Sequence, residues 1–259
     1  MPGGRSDNRA SSEVRALLND SNGNIWVATK RSDLMMYDSG MHLLRAYPDP
    51  RSGYIGMIYA MKEDSQGNIW LGTKGDGVIR MKPEADGSYS FRKFRHDPSD
   101  RFSLTNDQIY SIEEDNDGRI WFGLYGGGVC MLEHSDSDRF ITPINRMTGY
   151  PMSQAEKVRY LLCGHDGMMF AATIEGLLVF DPAQRPEDMT FSVVQKIPGD
   201  RNSLGNNDII HILETTDGSM WFSTFGGGIN LLKDYQNGKE PRFEVFSTTE
   251  GLSSNIVFA

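Results

Sequence analysis

The stretch "DNDGRIWFGLYGGGV", residues 115–129, decides the fold. In isolation it permits three readings: a calcium loop, a phosphate cradle or a β-hairpin. A calcium loop opening at Glu113 needs a bidentate Glu at its twelfth position, and Leu124 stands there. A phosphate cradle needs Lys-Ser/Thr after its glycines and then a helix, whereas Val129 and Cys130 follow Gly126–Gly128. The hairpin reading asks only for a residue that tolerates positive φ ahead of an apolar run, which Asp117-Gly118 supplies.

Repetition supports the hairpin. Related stretches occur at 19–38 ("NDSNGNIWVATKRSDLMMYD"), 63–82, 114–133, 163–182 and 214–233. Their turn glycines are Gly23, Gly67, Gly118, Gly167 and Gly218, spaced 44, 51, 49 and 51 residues apart. A short apolar run precedes each turn, as in "IYAMKED" and "IIHILET", and a fourth follows each hairpin, as in "HLLRAYP", "SFRKFRH", "RFITPIN", "FSVVQKI" and "RFEVFST". One repeat therefore reads as four antiparallel strands, a to d. Four-stranded units recurring every 40–50 residues or so predict an all-β chain, a β-propeller of four-stranded antiparallel blades. The expected blades are 13–53, 54–104, 105–154, 155–204 and 205–252, after an N-terminal segment at 1–12 and before the start of a further blade at 253–259. A two-sheet sandwich competes poorly with five copies of one motif.

Trp26, Trp70, Trp121, Phe170 and Trp221 hold one position of strand b. A large ring repeated in every blade reads as filling between blades, ahead of a role as a sugar-stacking platform. Two residues on, Ala28, Gly72, Gly123, Ala172 and Ser223 are small enough for a neighbouring sheet to approach.

Composition narrows the function. Lys and Arg total 26 against 35 Asp and Glu, a net charge of −9. That argues against nucleic acid and polybasic membrane binding. No run approaches the 18 or so apolar residues of a membrane helix. Cys130 and Cys163 sit in apolar runs and read as buried thiols.

The unit I-x-x-I-x-E-D-x-x-G-x-I-W-x-G-T-x-x-G-G resembles the two-component-regulator propeller repeat, closely at 109–128 and nearly so at 58–77. The segments 96–110 and 197–212 resemble that family's d-to-a loops, and the fourth repeat is degenerate, with Gly164, His165 and Phe170 at pattern positions. The resemblance implies the periplasmic sensor domain of a hybrid two-component histidine kinase. Such a domain senses carbohydrate fragments, works as a homodimer and meets the membrane only through segments outside this chain. It also implies seven blades, so that five repeats plus the "NIVFA" start of a sixth read as a fragment of a larger propeller. A closed five-bladed ring is the alternative.

No cofactor, metal or catalytic residue is expected. The five histidines lack metal spacing, and no nucleophile motif is present. Tyr110 and His211 hold related places in strand a, the innermost strand, and are placed to line a channel. One b-to-c hairpin position varies between repeats: Lys30, Lys74, Tyr125, Ile174 and Phe225. With the neighbouring Arg31, Asp76, Glu175, Arg101 and Arg201 it forms a mixed rim suited to a polar sugar. Lys74, Tyr125, Glu175, Phe225 and Arg31 are the candidate ligand residues. The functional expectation is a ligand-sensing propeller segment recognising an oligosaccharide or other small ligand. A structural or protein-interaction scaffold is the alternative, and a propeller lyase or glycosidase a further one.

Overall fold

A computed structural model describes residues 13–31, 33–48, 53–235 and 241–258. The expected N-terminal segment 1–12, and Ala259, lie outside them. Strands β1 (Val14–Asn19), β2 (Ile25–Thr29), β3 (Leu34–Tyr37) and β4 (Leu43–Tyr47) form the first antiparallel sheet in chain order. β5 (Ile58–Glu63), β6 (Ile69–Thr73), β7 (Val78–Pro83) and β8 (Tyr89–Phe94) form the second. The third holds β9 (Ile109–Glu114), β10 (Ile120–Leu124) and β11 (Val129–Leu132). After helix α1 (Met152–Ala155), the fourth holds β12 (Val158–Cys163), β13 (Met169–Thr173), β14 (Gly176–Phe180) and β15 (Phe191–Val194). The fifth holds β16 (Ile209–Glu214), β17 (Met220–Thr224), β18 (Ile229–Asp234) and β19 (Arg242–Phe246).

The third sheet departs from expectation. "RFITPIN" was to be its fourth strand, but only Ile141 pairs, exchanging two 2.8 Å hydrogen bonds with Met131. Pro143 has no N–H to extend the ladder. The Asn145 side chain accepts from the Thr142 amide at 2.8 Å and turns the chain away. Met147, Tyr150 and Ala155 from the following turns and α1 fill the blade edge instead.

The repeated a-to-b turns carry one carboxylate device. Asp64 accepts from the amides of Gln66 and Asn68, from the Asn68 side chain, and from Trp70 Nε1 at 2.7 Å. Asp20 and Asp115 do the same for Trp26 (2.9 Å) and Trp121 (2.7 Å). The carboxylate that suggested calcium is spent closing a turn and satisfying a buried indole. The acid one residue earlier works between blades. Glu63 accepts from the amide and hydroxyl of Ser21, and Glu114 from those of Ser65. Glu214 accepts from the amide of His165. Each of these glutamates thus clasps the turn of the preceding blade.

Packing between blades follows chain order, strand β1 against β5, β5 against β9, β9 against β12 and β12 against β16. A Cβ on Gly72 would lie 2.7 Å from Ile109 of the next blade, and one on Gly123 2.7 Å from Val158. The small residue after the Trp therefore admits the first residue of the next strand a. Trp26 meets Tyr89, Trp70 meets Phe122, Trp121 meets Phe180 and Phe170 meets Phe222, each in the following blade. Among the described residues the Trp221 ring meets only that of Phe246, in its own blade, and is half-buried, whereas Trp26, Trp70 and Trp121 are fully buried. The outer face of blade 1 is also uncovered, with Val14 51% and Leu17 65% exposed.

Candidate ligand site

Two sets of loops share one face. The amides of Gly75 and Gly77, in the b-to-c turn of blade 2, donate to the Asp107 carbonyl just before strand a of blade 3. Gly126 and Gly128 donate to Glu156 in the same way, and Gly226 and Gly228 to Asn255. The glycine runs are shaped by this approach. Gly126, Gly127 and Gly128 have φ of 122°, 98° and 79°, and a Cβ on Gly127 would lie 2.6 Å from Thr105 of the preceding loop. Glycine is the residue that tolerates both conditions.

Beside each contact, strand a carries a bulge. Register slips between Val14 and Ala16, Ile58 and Ala60, Val158 and Tyr160, and Ile209 and His211. In blade 3 Leu124 pairs with Ile109 and Gly123 with Ser111, skipping Tyr110. A bulge leaves one residue unpaired and re-aims its side chain. The residues so placed are Arg15, Tyr59, Tyr110, Arg159 and Ile210.

Three of the rings form a continuous stack. Tyr59 lies 4.9 Å from Tyr110 at 27°, and Tyr110 lies 4.8 Å from Tyr125 at 20°. Cations close both ends. Arg15 and Lys74 each stand 5.8 Å from the Tyr59 ring, with Lys157 5.7 Å and Arg159 5.5 Å from Tyr125. Cations over ring faces gain from the ring quadrupole. Arg159 is fixed by Asp208 through Nε at 2.9 Å and Nη2 at 3.2 Å. Burial first, then the nearby Tyr59 and Tyr125, raises the Tyr110 phenol above its ordinary pKa, so its hydroxyl keeps its proton at neutral pH. None of the three phenol hydroxyls has a protein hydrogen-bond partner among the described residues, so all three face water or a ligand.

The structure thus joins two sequence candidates, Lys74 and Tyr125, in one cluster. It does not bring the other three to it. Arg31 is exposed on the blade 1 turn. Glu175 is exposed, its carbonyl accepting from Gln195 Nε2 at 2.7 Å. Phe225 is 48% exposed and bridges Ile256. Tyr59, Arg15, Lys157 and Arg159 were missed; a comparison of the second residue of each strand a would have found three of them.

Deeper along strand a, Lys62 Nζ meets Glu113 at 2.5 Å. Burial raises the Glu113 pKa, outweighing the lowering effect of Lys62. The His211 ring is 3.9 Å from Tyr160, and burial lowers its pKa. Its place matches Ser111 rather than Tyr110: each follows the bulge of its own strand a, His211 opposite Ser223 and Ser111 opposite Gly123.

A cleft of about 730 Å³ opens on the opposite face, between the turns of blades 2 and 3. Its polar walls are largely engaged. Arg80 reaches the Ser135 carbonyl and covers Trp70, while Ser65 is held by Glu114. It has no aromatic wall, so the stacked face is the stronger candidate.

The family described as "Two component regulator propeller" matches at residues 8–31, 55–75, 103–126 and 203–226, skipping blade 4. No curated protein matches the sequence. Among solved structures, the chain is similar to the extracellular domain of a hybrid two-component system of B. thetaiotaomicron. The TM-score is 0.64 at 19% identity, covering 91% of this chain and 31% of that one. It is similar to PorZ, a surface component of the type-IX secretion system of Porphyromonas gingivalis (TM-score 0.66, 17% identity, 90% and 34% covered). It is also similar to virginiamycin B lyase from Staphylococcus aureus (TM-score 0.65, 14% identity, 92% and 71% covered). The chain therefore spans about a third of the two-component domain it resembles. These likenesses establish the propeller fold, and four repeats of the chain, each ending in a b-to-c turn, match the two-component regulator propeller repeat.

Proposed function

We propose that the chain is a non-catalytic, ligand-sensing propeller segment of a periplasmic two-component sensor, and that it recognises a carbohydrate fragment. The observation that carries this reading is the Tyr59–Tyr110–Tyr125 stack, with its unpartnered hydroxyls and flanking cations. Sugars bind through ring edges, hydroxyls and convergent polar groups of this kind. In the complete receptor the propeller passes its signal, as a homodimer, to a kinase module outside this sequence. The family and the extracellular two-component neighbour support that placement. Calorimetry against a panel of oligosaccharides tests the reading. Binding that is lost in Tyr110→Ala supports it, and a folded protein that binds none of them overturns it.

A scaffold role is the second reading, favoured by the apolar outer faces of blades 1 and 5. Val14, Leu17 and half-buried Trp221 there suit packing against more protein. A response of the full receptor that survives Tyr110→Ala and Tyr125→Ala would favour it. A lyase or glycosidase reading has less support. Among the described residues no carboxylate hydrogen-bonds the His211 ring, and Glu113 is occupied by Lys62.

A further inference from the structure

We infer that the stacked-tyrosine face takes an acidic oligosaccharide, one carrying carboxylate or sulfate groups. This deepens the carbohydrate reading above and rests on it.

The chain is acidic overall, at −9, yet four cations converge on the two end rings of the stack. They divide into two kinds. Arg159 is held by Asp208, and Arg15 lies 3.4 Å from Glu13. Lys74 and Lys157 have no carboxylate within 4.0 Å and no hydrogen-bond acceptor on Nζ among the described residues. The two free ammonium groups stand at opposite ends of the stack. A neutral sugar laid across the phenol hydroxyls would take water from both without offering a counter-charge, which is unfavourable. Anionic groups on the same sugar would supply charge-assisted bonds in its place. A ligand reaching both lysines crosses ring-to-ring steps of 4.9 and 4.8 Å, so it is longer than one sugar ring. Its middle faces Tyr110, whose hydroxyl remains a neutral donor and does not repel an anion.

The test is calorimetry of the 259-residue chain against three tetrasaccharides at 50 and 300 mM NaCl: tetragalacturonate, a sulfated chondroitin tetrasaccharide and neutral maltotetraose. The variants are Lys74→Ala/Lys157→Ala and the charge-retaining Lys74→Arg/Lys157→Arg, with circular dichroism confirming the fold. At least one acidic ligand should bind tenfold or more tighter than maltotetraose. It should weaken with salt, lose roughly tenfold or more in the double alanine variant and largely recover in the double arginine variant. The two acidic arms separate carboxylate from sulfate recognition. Binding of maltotetraose equal to or tighter than both acidic ligands overturns the inference and leaves carbohydrate sensing standing. Acidic binding that is unchanged in the double alanine variant also overturns it. No binding of any of the three overturns it as well; the wider panel then decides the carbohydrate reading separately.

Discussion

Replacing Asp64 by Ala removes one acceptor from several buried donors at once. Its carboxylate serves the Gln66 amide (3.0 Å), the Asn68 amide (2.8 Å), Asn68 Nδ2 (2.9 Å) and Trp70 Nε1 (2.7 Å). Gln66 is exposed and its amide can turn to water, but Trp70 is fully buried and Asn68 nearly so. Three donors are therefore orphaned, the Asn68 amide, Asn68 Nδ2 and Trp70 Nε1, at about 1–3 kcal/mol each, for a total of about 3–9 kcal/mol. Blade 4 shows how the loss is avoided: Gly164 and Phe170 replace acceptor and donor together. Asp64→Ala/Trp70→Phe should then cost less than the sum of the single changes, with a coupling of about 1–2 kcal/mol. Urea denaturation followed by far-ultraviolet circular dichroism measures both quantities, given similar slopes across the variants. Gln66→Ala, in the same turn, should stay within about 0.5 kcal/mol of the parent. An Asp64→Ala cost below about 1 kcal/mol, or additive single changes, would refute the reasoning.

Three further outcomes follow from the packing. Gly77→Ala should lower the melting temperature far more than Gly67→Ala. Both have positive φ, but a Cβ at Gly77 would fall 2.0 Å from the Phe94 carbonyl oxygen while one at Gly67 meets nothing within 4 Å; equal shifts would contradict the close approach. The Glu113 pKa is raised above 4.5 on folding, so its contribution is greatest below that value and is lost as pH rises through the folded pKa. The stability of the parent relative to Glu113→Gln should accordingly fall as pH rises above 4.5 in urea titrations, and a rise would be inconsistent with burial as the dominant cause. Burial pushes both thiols up to about 11, Cys130 fully enclosed and Cys163 half-buried. Native protein at pH 8 should therefore alkylate slowly, Cys130 slower than Cys163, and rapid native labelling of Cys130 would contradict its enclosure.

The fold was legible because its signals are local and repeated. A turn glycine, a buried indole and a small residue two places on are each dictated by neighbours a few residues away. The acids of the turn were legible as turn chemistry, but not in their division of labour. Asp64 serves its own blade and Glu63 the blade before, a contact 42 residues distant from Ser21. The missing strand in blade 3 follows from Pro143 and the Asn145 side chain, which override an apolar run. Variation at the hairpin tips found Lys74 and Tyr125 but could not rank them above Arg31, Glu175 or Phe225. Tip variation carries no information on distance between blades. The cluster is assembled by the bulge in strand a, and an extra residue in one strand is invisible until its partner's register is known. Blades 3 and 5 carry the bulge at the same place, so Tyr110 corresponds to Ile210 and His211 to Ser111.

Hydrogen–deuterium exchange of the chain, with and without a saturating mixture of oligosaccharides, tests the central claim most directly, since it reports which face is occupied. Ligand should slow exchange at residues 57–60, 108–111, 124–128 and 157–160, where the b-to-c turns meet the bulged strands. Protection confined to the turns at 64–68 and 115–118 on the opposite face, or no protection anywhere, would contradict the assignment of the tyrosine stack as the ligand site.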